Sequence, residues 1–323
     1  MLDRRLPPAA VYFPPAEGRY EVKPGLRPLG TDFGNGAADR WIFQFDERFP
    51  AYRQVKLTAR AERLATYYQT RDLTPEVAGI VCRFTARRLV EEHPDLFALS
   101  EEEGGTVLRC ELTGETLRFD QGMSRVSGGA ADPPYIDPLD ALASQLQEDL
   151  CIVRRRDGKD WAAAIHLCFP HRWTAEAKIG QDFVAMHLPV PHMASFRKPG
   201  MVTTMIEHGP YVRFAWDLTA DDCLNRHHDP PSGFDGPDRR ALRFDPANPR
   251  LFMRVGREVL WGFPAQETAL LAIHVSFLSG EALRGDPVWQ ARICSAIESM
   301  SPESLRYKDL DGQRDDLLAW LRS

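Results

Sequence analysis

Histidine is the residue type on which this chain concentrates its chemistry. Of nine histidines, seven (His166, His171, His187, His192, His208, His227, His228) fall between positions 166 and 228. Neutral imidazole binds iron, copper and zinc, and it titrates near physiological pH, so the stretch points to a metal ligand or a proton-handling group. No H-x-x-x-H pair that would put two zinc ligands on one helix face is present. His171 follows Phe169-Pro170 and His208 precedes Gly209-Pro210, which makes both read as turn residues. His227 and His228 sit in Asn-Arg-His-His-Asp-Pro-Pro, where neighbours on an extended loop point apart, so a surface loop is the expected reading. His187 stands in Met186-His187-Leu188-Pro189-Val190-Pro191, whose two prolines stiffen the backbone just after it. On the residues alone it reads first as a helix-capping or turn histidine; His192, His171 and His208 are the alternatives should a ligand be needed.

Other chemistries are disfavoured by composition. The six cysteines (Cys82, Cys110, Cys151, Cys168, Cys223, Cys294) are scattered, with no C-x-x-C pair for thiolate zinc or an iron–sulfur cluster. This pattern is that of a reduced, cytoplasmic protein. A net charge of -6 argues against general nucleic-acid binding. No apolar run approaches the roughly 18 residues of a membrane span. Met-Leu-Asp-Arg-Arg-Leu-Pro-Pro has charge without an apolar core behind it, unlike a secretory signal. The GNGAAD segment (Gly34, Gly36) lacks a third glycine and a preceding strand, so it is a poor dinucleotide fingerprint.

The elements that must position these residues follow from spacing. At 323 residues and 43% hydrophobic composition the chain can bury a real core. The first ~40 residues, rich in Pro and Gly, form an irregular arm. A helix is expected from near Ala51 to Thr70. A second follows, with Thr74 as N-cap, Pro75 at the first helical position and Val77, Ile80, Val81 and Phe84 at helical spacing. Glu101 to Gly105 reads as a solvated turn, Gly122 to Pro134 as a linker and Pro138 to Asp149 as a helix. Strands are expected over Leu150 to Arg155 and Trp161 to Phe169, joined through Asp157-Gly158, a two-residue hairpin signal. A helical segment spans His171 to Arg197. Three strands follow: Tyr211 to Leu218, Leu251 to Phe263 and Thr268 to Leu278. Two last helices open at Asp286-Pro287 and Ser301-Pro302, the first with an apolar stripe of Trp289, Ile293, Ala296 and Met300.

Two strands, helices, then three strands is the order of a PAS-type antiparallel sheet, a topology that holds ligands between its inner face and the intervening helices. The expected fold class is therefore α+β: a PAS-like sheet with a ligand-holding helical insert over 136–323, and an N-terminal arm and helical region over 1–135 packed on it.

Specific motifs then carry a resemblance. They are Gly25-Leu26-Arg27-Pro28-Leu29, Gln147-Glu148-Asp149-Leu150, Trp173 with Glu176 and Lys178-Ile179-Gly180, His187 with Pro189-Val190-Pro191, Arg213 with Trp216, and Tyr307-Lys308-Asp309-Leu310. In this order, over nearly the whole chain, they resemble the haem-dependent oxidative N-demethylase α-subunit family, best known for dimethylamine monooxygenase. Two motifs depart from it. Where many relatives read Arg-x-Asn-Trp, this chain has Arg213-Phe214-Ala215-Trp216. Where many read Arg-x-Glu-Arg-Gln-x-Leu, it has Arg254-Val255-Gly256-Arg257-Glu258-Val259-Leu260.

The resemblance implies a haem b iron centre and oxidation of a small secondary amine such as dimethylamine by O2, giving a primary amine and formaldehyde. It also implies electrons from NADPH, delivered through a partner reductase with flavin and a [2Fe-2S] cluster. It makes His187 the expected axial iron ligand. Arg213, Arg254, Arg257 and Lys178 become candidate partners of the haem propionates, since guanidinium groups fork onto carboxylates. Asp217, Glu258 and His274 become the candidate catalytic groups, the two acids because a protonated amine needs a carboxylate or ring face.

Alternation puts Tyr211, Arg213, Ala215 and Asp217 on one face of their strand, and Val212, Phe214, Trp216 and Leu218 on the other. It groups Leu270, Ala272, His274 and Ser276, and likewise Ala162, Ala164, His166 and Cys168. Such faces either hold a flat cofactor or face solvent. Two rival functions stay open: a PAS-type haem sensor or binding module without turnover, and a structural relative with no cofactor.

Overall fold

The Asp157-Gly158 pair makes the turn its residue types call for. Both residues have positive φ, 53° and 73°, and they join β7 (Asp149–Arg156) to β8 (Lys159–His166) as an antiparallel hairpin. The computed structural model describes residues 6–188, 190–191, 200–234 and 243–323. Three further strands, β9 (Tyr211–Thr219), β10 (Phe252–Phe263) and β11 (Thr268–Ser279), complete an antiparallel five-stranded unit. Its spatial order is β9-β10-β11-β7-β8, extended at the two edges by β1 (Arg27–Pro28) on β9 and β2 (Tyr68–Thr70) on β8. In order of appearance, the five run second, first, fifth, fourth, third from the β8 side. The chain is thus mixed α+β, with antiparallel sheets and ten described α-helices.

The N-terminal part differs from expectation. The helix α1 (Phe49–Tyr67) ends earlier, and Tyr68–Thr70 joins the sheet edge instead. The next helix, α2 (Pro75–Glu92), starts as its cap predicts: the Thr74 hydroxyl accepts from the Val77 N–H. Beyond it lies a second, four-stranded sheet: β3 (Phe97–Glu102), β4 (Gly105–Cys110), β5 (Glu115–Asp120) and β6 (Val126–Gly128). The expected turn at 101–105 is the β3–β4 hairpin, and β6 occupies part of the expected linker. The expected helix at 138–149 is a short α3 (Pro138–Ala143), capped by Asp137, before β7 begins.

One apolar cluster spans both sheets. It joins Val81, Cys82 and Leu89 of α2, Leu108 and Leu117 of the small sheet, Leu142 of α3, and Leu150, Val259 and Ala272 of the large one. Between β8 and β9 lie α4 (Ala175–Lys178), α5 (Phe183–His187) and α6 (Gly200–Glu207). Ile179, Phe183, Met186, Val202, Met205 and Ile206 from this insert bury against Cys151, Val153, Ile165 and Leu260 of the large sheet. The C-terminal helices α7 (Gly280–Gly285), α8 (Pro287–Glu298), α9 (Pro302–Tyr307) and α10 (Arg314–Arg322) pack on its β9–β10 end through Ile293, Ile297, Leu317 and Leu321. Asp286 and Ser301 cap α8 and α9 as the two proline signatures predict. No helix among the described residues is long and apolar enough to cross a membrane.

Candidate functional site

Strand register decides which predicted residues meet. Glu258 stands opposite Arg213 and Ile273, Gly256 opposite Ala215 and Val275, and Arg254 opposite Asp217 and Phe277. Side chains alternate along each strand, so Arg213, Ala215, Asp217, Arg254, Gly256, Glu258, Leu271 and Ile273 share one sheet face. In the middle of that face the cover is incomplete. Ala215, on the stretch of β9 beyond its pairing with β1, is exposed, and Leu271 and Ile273 are only partly buried. A side chain added at Gly256 would meet nothing nearer than Ala215, 3.8 Å away. Ala215 and Gly256, cross-strand partners, thus put a strip of small residues in the middle of this face.

His187 stands at one end of this strip. It closes α5, whose N-cap Asp182 accepts from the Ala185 N–H at 2.7 Å. Its Nδ1 lies 2.7 Å from the Phe183 carbonyl oxygen, and its ring rests 4.3 Å from that of Phe183. A carbonyl only accepts, so Nδ1 carries the proton and Nε2 carries the lone pair. Burial pushes the imidazole pKa down, and the charges it feels are those of Arg213, Glu258 and Lys178. A neutral imidazole whose Nδ1–H is fixed by a carbonyl is the form in which histidine ligates a metal through Nε2.

Arg213 and Glu258 meet at 3.2 Å (Nη1–Oε2), both partly buried. Lys178 ends α4, half-buried, its pKa lowered by desolvation. The structure thus gathers His187, Arg213, Glu258 and Lys178 into one electrostatic group.

The other end of the strip is built on Asp217. Its Oδ2 accepts from His171 Nε2 at 2.8 Å and from Arg172 Nε, its Oδ1 accepts from the Leu218 N–H at 2.9 Å, and Lys308 Nζ lies 3.9 Å from Oδ1. The Lys308 ammonium donates to the Trp216 carbonyl and sits over the rings of Tyr20 and Trp216. Asp309 holds Arg172 at 2.8 Å from the far side. The Tyr307-Lys308-Asp309-Leu310 motif is thereby the brace of this anchor. Lys308, His171 and Arg172 hold the Asp217 carboxyl well below the usual range against the opposing effect of burial. His171, Arg172 and the Leu218 N–H thus hold the Asp217 carboxylate in place from three sides.

Arg254, opposite Asp217, donates from Nη2 to the Phe169 carbonyl at 2.7 Å. Its Nε is buried without a partner, and burial lowers its pKa to about 10.

Two expected site residues lie elsewhere. Arg257 and His274 are cross-strand partners on the opposite face. Arg257 donates to the Trp41 carbonyl at 2.7 Å and lies over Tyr12. His274 Nδ1 lies 3.1 Å from Glu148, its Nε2 3.8 Å from Asp46, and its ring stacks on Tyr52. The physical reason is strand parity: 254 and 257 differ by an odd number, so their side chains leave on opposite sides. The structure does not bring Arg257 or His274 together with His187.

The remaining histidines divide as follows. His208 and His228 are exposed; His227 is buried, with Nε2 3.5 Å from Glu176. His192 lies outside the described residues. His166 is fully buried and, with Asp149 and Cys168, forms a group of metal-type donors. Both Asp149 oxygens already accept backbone N–H groups, of Cys168 and Phe169, each at 2.8 Å. His166 Nε2 faces Asp140 at 3.4 Å, and Asp140 is held by Arg60. Lys56 is buried nearby, its ammonium on the carbonyls of Ala143 and Glu148. Two buried cations already balance these carboxylates, so the cluster locks α1 to β7 and α3 and has no need of a metal. The Gln147-Glu148-Asp149 run supplies the same kind of lock: Gln147 bonds Asp46, Glu148 bonds Gln44 and His274, and Asp149 bonds the chain after β8.

The sequence offers His171 only as an alternative ligand and gives no sign of its pairing with Asp217. Its Phe-Pro-His context reads as a turn, and nothing local shows that its partner is Asp217, 46 residues on.

A family model described as haem-dependent oxidative N-demethylase, alpha subunit-like, matches residues 35–318.

Proposed function

The chain belongs to the haem-dependent oxidative N-demethylase, alpha subunit-like family, and from this premise we propose that the open strip holds haem b, with His187 Nε2 as the axial iron ligand. Bound haem would supply O2 activation and oxidation of an N-methyl carbon. The overall reaction is R–NH–CH3 + O2 + NADPH + H+ → R–NH2 + CH2O + NADP+ + H2O. The electrons would come through a partner reductase carrying flavin and a [2Fe-2S] cluster, as befits an α subunit.

The residues fit the group. A flat apolar macrocycle needs a strip without bulky side chains, and Ala215 and Gly256 provide one. Its propionates need donors at the rim; Arg213 and Lys178, both partly exposed, supply them. Glu258, beside Gly256, is the acid placed to face a cationic amine. The proposed role of the chain is to fix the imidazole tautomer, to keep water from the strip with the insert, and to hold the amine by polar groups at its ends.

The observation that carries the reading is the Nδ1–H of His187 fixed on Phe183, which leaves the lone pair on Nε2, in a ring that feels the charges of Arg213 and Glu258. The test is the purified protein. It should bind one haem and show a Soret band, and His187→Ala should lose the haem complement or shift the band. Formaldehyde should be released from dimethylamine with a reductase or chemical reductant; no release across a panel of methylated amines would sink the enzyme reading. The five-strand order supports a PAS-like fold, whose usual task is sensing, so a haem-bearing protein without turnover would favour a sensor or binding module. We also infer a cytoplasmic location, on five buried cysteines (Cys82, Cys110, Cys151, Cys168, Cys294) that stand outside any disulfide.

A further inference from the structure

We propose that His171, oriented by Asp217, is the amine-recognising residue of the site: its Nδ1 accepts a hydrogen bond from the N–H of the substrate. This rests on the strip being the substrate and cofactor site. The tautomer follows from the partner. The Asp217 carboxylate only accepts, so His171 Nε2 carries the proton at 2.8 Å and Nδ1 carries a lone pair. No described residue hydrogen-bonds that Nδ1, while the side chain keeps 11% of its exposure. The carboxylate that holds His171 lies on the sheet face of Ala215 and Gly256: Asp217 is two residues from Ala215 and opposite Arg254.

Everything around His171 preserves this arrangement. Arg172 and Lys308 hold Asp217 ionised, and burial beside Arg254 and Arg172 keeps the imidazole neutral, with its pKa down to about 4. A neutral imidazole with one nitrogen committed is an acceptor and offers no donor on its open side. A donor ligand satisfies it, and a secondary amine presents N–H in both its neutral and protonated forms. Its low basicity keeps the proton on the amine, so the step is recognition and transfers no charge. The apolar strip beside it then accommodates the methyl groups. A quaternary ammonium has no N–H and gains nothing from this acceptor.

Calorimetric titration of dimethylamine into the full-length protein, with haem content read separately, tests the assignment. His171→Leu should weaken dimethylamine binding by roughly tenfold or more, as expected for a hydrogen bond to a charged group, with haem content unchanged. His171→Gln can donate to Asp217 and still present a carbonyl, so it should recover most of the affinity. Tetramethylammonium should bind wild type and His171→Leu alike. Unchanged dimethylamine affinity in His171→Leu, no binding to wild type, or no rescue by Gln in a protein that unfolds normally would overturn the proposal. Loss of haem from both variants would reassign His171 to the cofactor, whereas a wild-type protein that takes up no haem would instead sink the haem reading.

Discussion

Arg213 and Glu258 face each other across neighbouring strands and meet at 3.2 Å beside His187. Neither acts as a lone charge at the rim of the strip. Both are partly open to solvent, which screens the pair, so its coupling should be about 1 kcal/mol or less. A double-mutant cycle of Arg213→Ala and Glu258→Ala in urea unfolding measures it. A coupling above about 3 kcal/mol would mean that the rim is far drier than its exposure implies.

The buried histidines set a direction for pH dependence. His171 titrates near 6.5 when unfolded but at about 4 in the folded protein. Below about pH 6.5 the unfolded chain takes up a proton that the folded one refuses until about 4. Stability therefore falls as pH is lowered through this window and levels off beneath it, by at most about 3 kcal/mol from this residue. His93 and His187 are shifted the same way by burial. Urea midpoints at pH 7.5 and 5 should show the loss, and His171→Gln should shrink it; equal slopes in the two proteins would remove His171 as its source.

Lys308 makes a complementary prediction. Its ammonium helps keep Asp217 ionised and lies over the rings of Tyr20 and Trp216. Asp217 has a depressed pKa, so its contribution is present above the usual carboxylate pKa and is lost as pH falls through the folded value. Lys308→Met keeps the stem and removes the charge. Acid unfolding, followed by circular dichroism, should begin at higher pH in the variant; an unmoved midpoint would show that Arg172 and His171 suffice.

How far this was legible in sequence depended on how local the signal was. Asp157-Gly158 and the Thr74, Asp286 and Ser301 caps are set by their own few residues, and each marks its element. The four-stranded sheet was not legible. Its strands are six residues or fewer, and β3 and β6 are mostly exposed edge strands, so no apolar period stands out. Within the site, alternation grouped Arg213, Ala215 and Asp217 correctly. It could not say that His274 and Arg257 leave from the other face, because that depends on pairing register. His171 was hidden for a stronger reason: its meaning comes from Asp217, Arg172 and Lys308, which the fold assembles from three separate segments.

The Arg60–Asp140 pair predicts where the fold is least tolerant. Both side chains are wholly buried; Arg60 donates from Nε at 2.8 Å and from Nη2 at 2.6 Å to the two Asp140 oxygens. Removing one partner leaves an uncompensated charge in the interior, which costs about 3–5 kcal/mol. Asp140→Ala should lower the urea midpoint accordingly. Replacing both residues by apolar ones of similar size should cost much less. A single variant within about 1 kcal/mol of wild type would mean that water reaches this pair.

Ala215 offers the most direct test of the cofactor strip. It is an exposed strand residue facing Gly256, and its side-chain direction is fixed by the sheet. Phenylalanine suits a strand and meets open space there, so Ala215→Phe should alter unfolding free energy by no more than about 0.5 kcal/mol. The same ring would fill the strip across which the macrocycle must lie. Haem stoichiometry after reconstitution should fall well below one per chain, while far-ultraviolet circular dichroism and the urea midpoint stay put. A full haem complement with an unchanged Soret band would place the cofactor elsewhere, and would leave His187 as a half-buried histidine that merely caps its own helix.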